Sequence, residues 1–274
     1  MDFSTKWRNG LNSKDAEPET PHWDFGRNVA QTVKLQIKLL LSYVDKTVKN
    51  KEEKRNRYLL PLKYLFCYAE NSGLQDIFKM DMAQEEEFTS LLRMQIAELN
   101  INSKSFIAFC RKTLFLEAEE INWEAYVWYV AKLNIAHERY SLSSTIESFS
   151  FLDIRLEDNR KVLQEYMKYL FTVTNLNLGT IRIKQTYIKE FFKHLEEQKK
   201  AITAIDVSLV KEYFDKLSMQ RIGPQSYNNK VRAVTIFLQY LQVKDYINHF
   251  TIPVFFYKKK SYLKNREIKD LDKK

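Results

Sequence analysis

The stretch Arg221-Ile222-Gly223-Pro224-Gln225-Ser226-Tyr227-Asn228-Asn229-Lys230-Val231-Arg232, with the run after it to Leu241, decides how the chain reads. Gly223-Pro224 ends the preceding helix, and proline suits the first turn of the next, where its missing N–H costs nothing. Tyr227, Val231, Val234, Phe237 or Leu238, and Leu241 then fall on one apolar stripe, which predicts an amphipathic helix over 224–243. Asn228, Asn229, Lys230 and Arg232 lie off that stripe, in the first turns. A helix start with amides, cations and free backbone N–H groups suits a phosphate. The same residues also suit the polar face of an ordinary core helix.

Working outward, helices are predicted at 156–173, 179–198 and 206–219, bounded by Asn175, Gly179 and Asp206. Toward the N-terminus a helix covers 28–49, and the charge run Lys51 to Arg57 leads into another that Gly73 stops. Asp81 opens a helical stretch to about Leu99, Ser103 opens the next, and Trp123–Leu133 reads as one more apolar helix. His137–Ser148 is polar, Ser-rich and without period. The expected layout is a poorly ordered lead-in over 1–26, an N-terminal helical domain over 27–136 and a linker over 137–154. A second domain follows over 155–250, then a basic linker over 251–274.

Five glycines and five prolines in 274 residues are too few for a turn-rich β fold, while 45% apolar residues can fill a core. The reading is all-α, with two helical bundles, the second of four to five helices. The formal charge of +9 favours an anionic partner, nucleic acid or a membrane surface. The tail 258–274 is too polar for an amphipathic membrane helix, and no apolar run approaches a spanning length. Met1 to Gly10 lacks a signal-peptide core, and Cys67 and Cys110 sit in apolar patterns as buried thiols. These features point to a cytoplasmic protein.

Chemistry is hard to find. His22, His137, His194 and His249 are isolated, and no HExxH, Gly-rich phosphate loop or G-x-S-x-G elbow occurs. No catalytic residue, metal, cofactor or small-molecule substrate is expected.

The halves echo each other. Leu62-Lys63-Tyr64-Leu65-Phe66 compares with Ile188-Lys189-Glu190-Phe191-Phe192, and both lead through a polar break to Ile77…Asp81 and Ile202…Asp206. Phe88 and Tyr213 follow at the same offset. A duplicated unit accounts for this better than a solenoid, whose periods are far shorter. Any two amphipathic helices joined at an Asp cap would also look alike.

Ser226-Tyr227-Asn228-Asn229-Lys230 and Phe237-Leu238-Gln239-Tyr240-Leu241 resemble the last helix of the core-binding, SAM-like domain of tyrosine recombinases, the phage integrases and their transposon-borne relatives. Thr180…Tyr187…Phe191-Phe192…Leu195 is similar to an earlier helix of that domain. Ile252-Pro253-Val254-Phe255-Phe256 with Asn265-Arg266-Glu267-Ile268 resembles its linker to the catalytic domain. The resemblance covers about residues 155–268; the first half joins it only through the echo.

The resemblance implies the DNA-clamping part of an integrase, acting in integration, recombination or transposition beside other recombinase protomers. The strand-cleaving Arg, Lys, His-x-x-Arg and Tyr would lie beyond this sequence. It implies phosphate contacts by Arg182, Lys184, Lys230 and Arg232, a polar contact near the groove by Asn228 or Asn229, and backbone contacts by Lys258, Lys259 and Lys260. Lys54, Arg55 and Arg57 occupy the matching place in the first half. The competing reading is a helical protein-interaction module without nucleic-acid function.

Overall fold

Helix α1, Gln31–Thr47, exists because Val33, Ile37, Leu40 and Val44 recur three or four residues apart, and all four are fully buried. The structure is a computed structural model that describes residues 23–95, 103–140, 145–248, 250–251 and 257–259. It divides into two units, Met1–Glu138 with Leu142–Asp153, and Arg139–Ser141 with Ile154–Lys274. Of the expected lead-in over 1–26, residues 1–22 lie outside the described residues, as does most of the basic linker over 251–274.

In the first unit α2 runs through Lys51–Glu53, a π-helical Lys54–Leu59 and α-helical Leu60–Ser72. Pro61 has no N–H to return to the turn before it, and the helix widens just ahead of it. The Leu60 amide there bonds back five residues to Arg55 O. Gly73, at φ 68°, ends α2 in the left-handed conformation that glycine holds without a Cβ penalty. A 3-10 turn at Ile77–Lys79 leads to α3, Met82–Gln95, and then α4, Ser103–Glu117. Asp81 and Gln84 form a capping box: each backbone N–H donates to the other's side chain, at 3.0 and 2.9 Å.

The helix expected over Trp123–Leu133 is absent. Val127–Tyr129 is strand β1, paired antiparallel with β2, Ser148–Ser150, and a 3-10 turn follows at Val130–Lys132. All three residues of β1 are buried, and Trp128 packs against Trp123 at 4.8 Å and Phe151 at 4.6 Å. A segment covered on both faces shows no amphipathic period, so its apolar run reads equally as helix or strand. The stretch expected to link the domains supplies β2 to the first unit and Arg139 to the second.

The second unit holds α5, Glu157–Thr172; α6, Leu178–Glu197; a 3-10 turn at Ile202–Ala204; α7, Val207–Ser218; and α8, Pro224–Val243. Asn177, not Asn175, caps α6 by accepting from Thr180 N–H at 2.7 Å. Asp206 caps α7 through Leu209 N–H at 2.9 Å. Phe237 on α8 meets Tyr166 of α5 at 5.1 Å and Phe192 of α6 at 5.6 Å, the centre of this core. Arg139 donates to the carbonyls of Leu170, Phe171 and Leu176 at 3.0, 2.7 and 2.8 Å. The first two belong to the last turn of α5, where carbonyls lack intrahelical donors. Beyond the short β ribbon the regular structure is almost wholly helical, so the all-α class holds.

Candidate nucleic-acid interface

Charge separates the two units. The second carries 25 of the 44 Lys and Arg but 13 of the 35 acids, a formal +12 that leaves −3 for the first. The basic surplus of the chain is therefore a property of one unit.

Within that unit the sequence-predicted residues fall into two groups. Arg182 and Lys184 stand in the first turns of α6, half-buried along their stems. Burial lowers both pKa values, and for Lys184 the nearby charge of Arg232 on α8 lowers it further. Arg182 Nη1 donates to the buried Gln185 at 3.4 Å. Arg232 is exposed, and among the described residues neither it nor Lys184 has an acidic ion-pair partner. Two cations drawn together without a counter-charge make a favourable place for an anion. Asn229 is exposed one turn earlier, as is Lys258.

The second group is occupied by the protein itself. Lys230 is buried, and its Nζ donates to Glu190 Oε2 of α6 at 2.6 Å, 5.8 Å from the Tyr187 ring. It ties α6 to α8. Asn228 is engaged twice: its Nδ2 donates to Lys259 O at 2.8 Å and its Oδ1 accepts from Lys259 N–H at 2.9 Å. Lys259 Nζ donates to Ser218 O at 2.9 Å and lies 4.5 Å from the Tyr227 ring, while Tyr257 packs on Phe214 at 5.1 Å. These contacts strap the segment Tyr257–Lys259 over the junction of α7 and α8. Lys260 lies outside the described residues.

Lys54 and Arg57, in the first unit, are paired with Asp45 at 2.9 Å and Glu53 at 3.3 Å; Arg55 Nη1 lies 3.5 Å from Asn56 Oδ1. Sequence reasoning passed over Glu190 and the strap. No local signal marks Glu190 as the partner of a lysine 40 residues away. Among the described residues no cluster of His, Cys, Asp and Glu could hold a metal ion, and no helix is long and apolar enough to cross a membrane.

Residues 163–244, from the middle of α5 to the end of α8, match the family model of the phage integrase, N-terminal SAM-like domain. The match lies wholly within the second unit and is consistent with the core-binding region of a tyrosine recombinase and with an integrase-related role in DNA recombination. No curated protein and no solved structure matches the chain.

Proposed function

We propose that this chain binds duplex DNA through its second unit, as the DNA-holding part of a site-specific tyrosine recombinase acting in integration, recombination or transposition. The observation that carries this is the convergence of Lys184 and Arg232, without an acid between them, on the unit that holds the basic surplus. Arg182, Lys184 and Arg232 neutralise backbone phosphates, Asn229 faces the groove, and Lys258 follows the backbone. Lys230, Asn228 and Lys259 hold that surface in shape. The first unit's Lys54, Arg55 and Arg57 are largely balanced by acids, so the binding energy resides in the second unit.

Strand cleavage is not this chain's work. The sequence contains no His-x-x-Arg pair to set beside a nucleophilic Tyr, and its action is to grip DNA beside other recombinase protomers in the cytoplasm. Fluorescence anisotropy with a labelled duplex over a range of salt concentrations tests the reading. The triple variant R182A/K184A/R232A weakens binding across sequences and flattens log K against log salt by about 0.9 per lost contact. An unchanged slope sinks the assignment of these residues. Failure of the wild type to bind DNA at all favours the protein-interaction module.

A further inference from the structure

The first unit repeats the second in a nearly constant register. At an offset of 126 residues, buried Val33, Gln36, Ile37, Leu40 and Val44 of α1 fall on buried Asn159, Val162, Leu163, Tyr166 and Leu170 of α5. The same offset carries Leu62, Leu65, Phe66, Tyr68 and Ala69 of α2 onto Ile188, Phe191, Phe192, His194 and Leu195 of α6, all buried. At 125, Phe88 and Leu92 of α3 fall on Tyr213 and Leu217 of α7; at 124, Phe106, Ile107, Cys110 and Leu114 of α4 fall on Lys230, Val231, Val234 and Leu238 of α8. The single-residue slips fall in the connections.

Any two amphipathic helices can share a burial period. Specific contacts at matching or neighbouring places are a stronger sign, and four are comparable between the units. Ile77 N–H donates to Gln36 Oε1 at 2.9 Å, and Ile202 N–H donates to Asn159 Oδ1 at 2.7 Å, the accepting side chain standing one helical turn before Val162, the position that matches Gln36. Asp81 and Asp206 cap the third helix of each unit at the same 2.9 Å. Tyr68 OH donates to Glu87 at 2.9 Å beside the Phe88 ring at 5.6 Å; His194 lies 3.9 Å from Glu212, beside the Tyr213 ring at 5.5 Å. Glu70 holds the approach to α1 through Arg27 at 2.8 Å, and Glu196 holds the approach to α5 through the N–H groups of Arg155 and Leu156 at 3.1 and 2.9 Å.

We propose that residues 31–117 are a second, diverged copy of the integrase SAM-like fold, made by duplication within this chain, which has shed the phosphate-binding face of its twin. The family match covers 163–244 and does not reach this copy. The loss, which rests on the DNA reading above, is visible position by position. The counterparts of Arg182, Lys184 and Arg232 are Asn56, Tyr58 and Ala108, none of them charged. Tyr58 instead packs on Phe109 at 4.8 Å, and Phe109 lies 6.2 Å from Tyr43, so an aromatic cluster stands near where the twin gathers cations. Lys54 and Arg57 beside it are already paired with Asp45 and Glu53, so this copy serves as a module that leaves DNA to its twin.

Two measurements on the full chain test the two halves of the proposal separately. The exchange H194Y is read by thermal melting against H194A. If the copies share a register, the new hydroxyl reaches Glu212 as that of Tyr68 reaches Glu87, and H194Y melts above H194A. The reverse exchange, Y68H, melts above Y68A for the same reason. Both tyrosine–histidine exchanges melting no higher than their alanine counterparts overturns the duplication. For the lost face, K54A/R55A/R57A leaves DNA affinity within about twofold, while R182A/K184A/R232A flattens the salt slope by about three units. Equal flattening by both sets overturns the lost face and leaves the DNA reading standing. Flattening by neither removes the DNA reading and the lost face together, while the melting comparison still decides the duplication.

Discussion

Lys230 keeps 11% of its side chain in water and holds Glu190 at 2.6 Å, whereas Arg232, two residues on, is exposed beside another cation. The first is a structural tie and the second, on the proposed function, a phosphate contact, and single substitutions separate them. K230M keeps the aliphatic stem and loses the charge-assisted bond. It lowers the free energy of unfolding by about 1.5–3 kcal/mol in urea titrations while leaving the salt slope of DNA binding unchanged. R232A does the opposite, with stability held and the slope reduced by about one. His194 titrates by the same logic. Burial, with Lys216 adding to it and Glu212 and Glu197 opposing, holds its folded-state pKa below the ordinary 6.5. The neutral ring is favoured in the fold, so this contribution is present above the unfolded-state pKa and is lost as pH falls through it toward the folded value. Urea midpoints of the wild type therefore decline, as pH falls below the ordinary histidine range, more steeply than those of H194Q.

Among the elements, the end of α5 depends on a residue far outside it. Arg139 supplies three donors to carbonyls at that terminus, and R139A costs about 2 kcal/mol, seen as early loss of amide-exchange protection over Leu170 to Leu176. Such a tie was closed to sequence reasoning, because nothing near Arg139 announces acceptors more than thirty residues ahead. The helices themselves were open to it. Gly73, Asp206 and Gly223-Pro224 act on their own neighbours, and α8 lies where its stripe and its breaker put it. β1 was missed for the converse reason: Val127, Trp128 and Tyr129 are covered on every side by partners distant in sequence. The site divides in the same way. Which residues are cationic is written in the chain, but which cations are already engaged depends on Glu190 and on the segment around Lys259, placed only by the fold.

At the scale of the molecule, two units of similar helical order differ by the sign of their charge. A ligand that binds only the native second unit stabilises it by about 2.7 kcal/mol at a hundred times Kd. Hydrogen exchange with and without DNA will show added protection in α5–α8 and none in α1–α4; added protection in both would assign DNA contacts to both copies. The strap at Lys259 has one more consequence. Asn228 fixes it near the first turn of α8, although that helix finishes at Val243. Twenty residues of helix span about 30 Å. Lys259 is therefore moored at the opposite end of α8 from the one its last helical residue would suggest, by Asn228, the Ser218 carbonyl and the Tyr227 ring together.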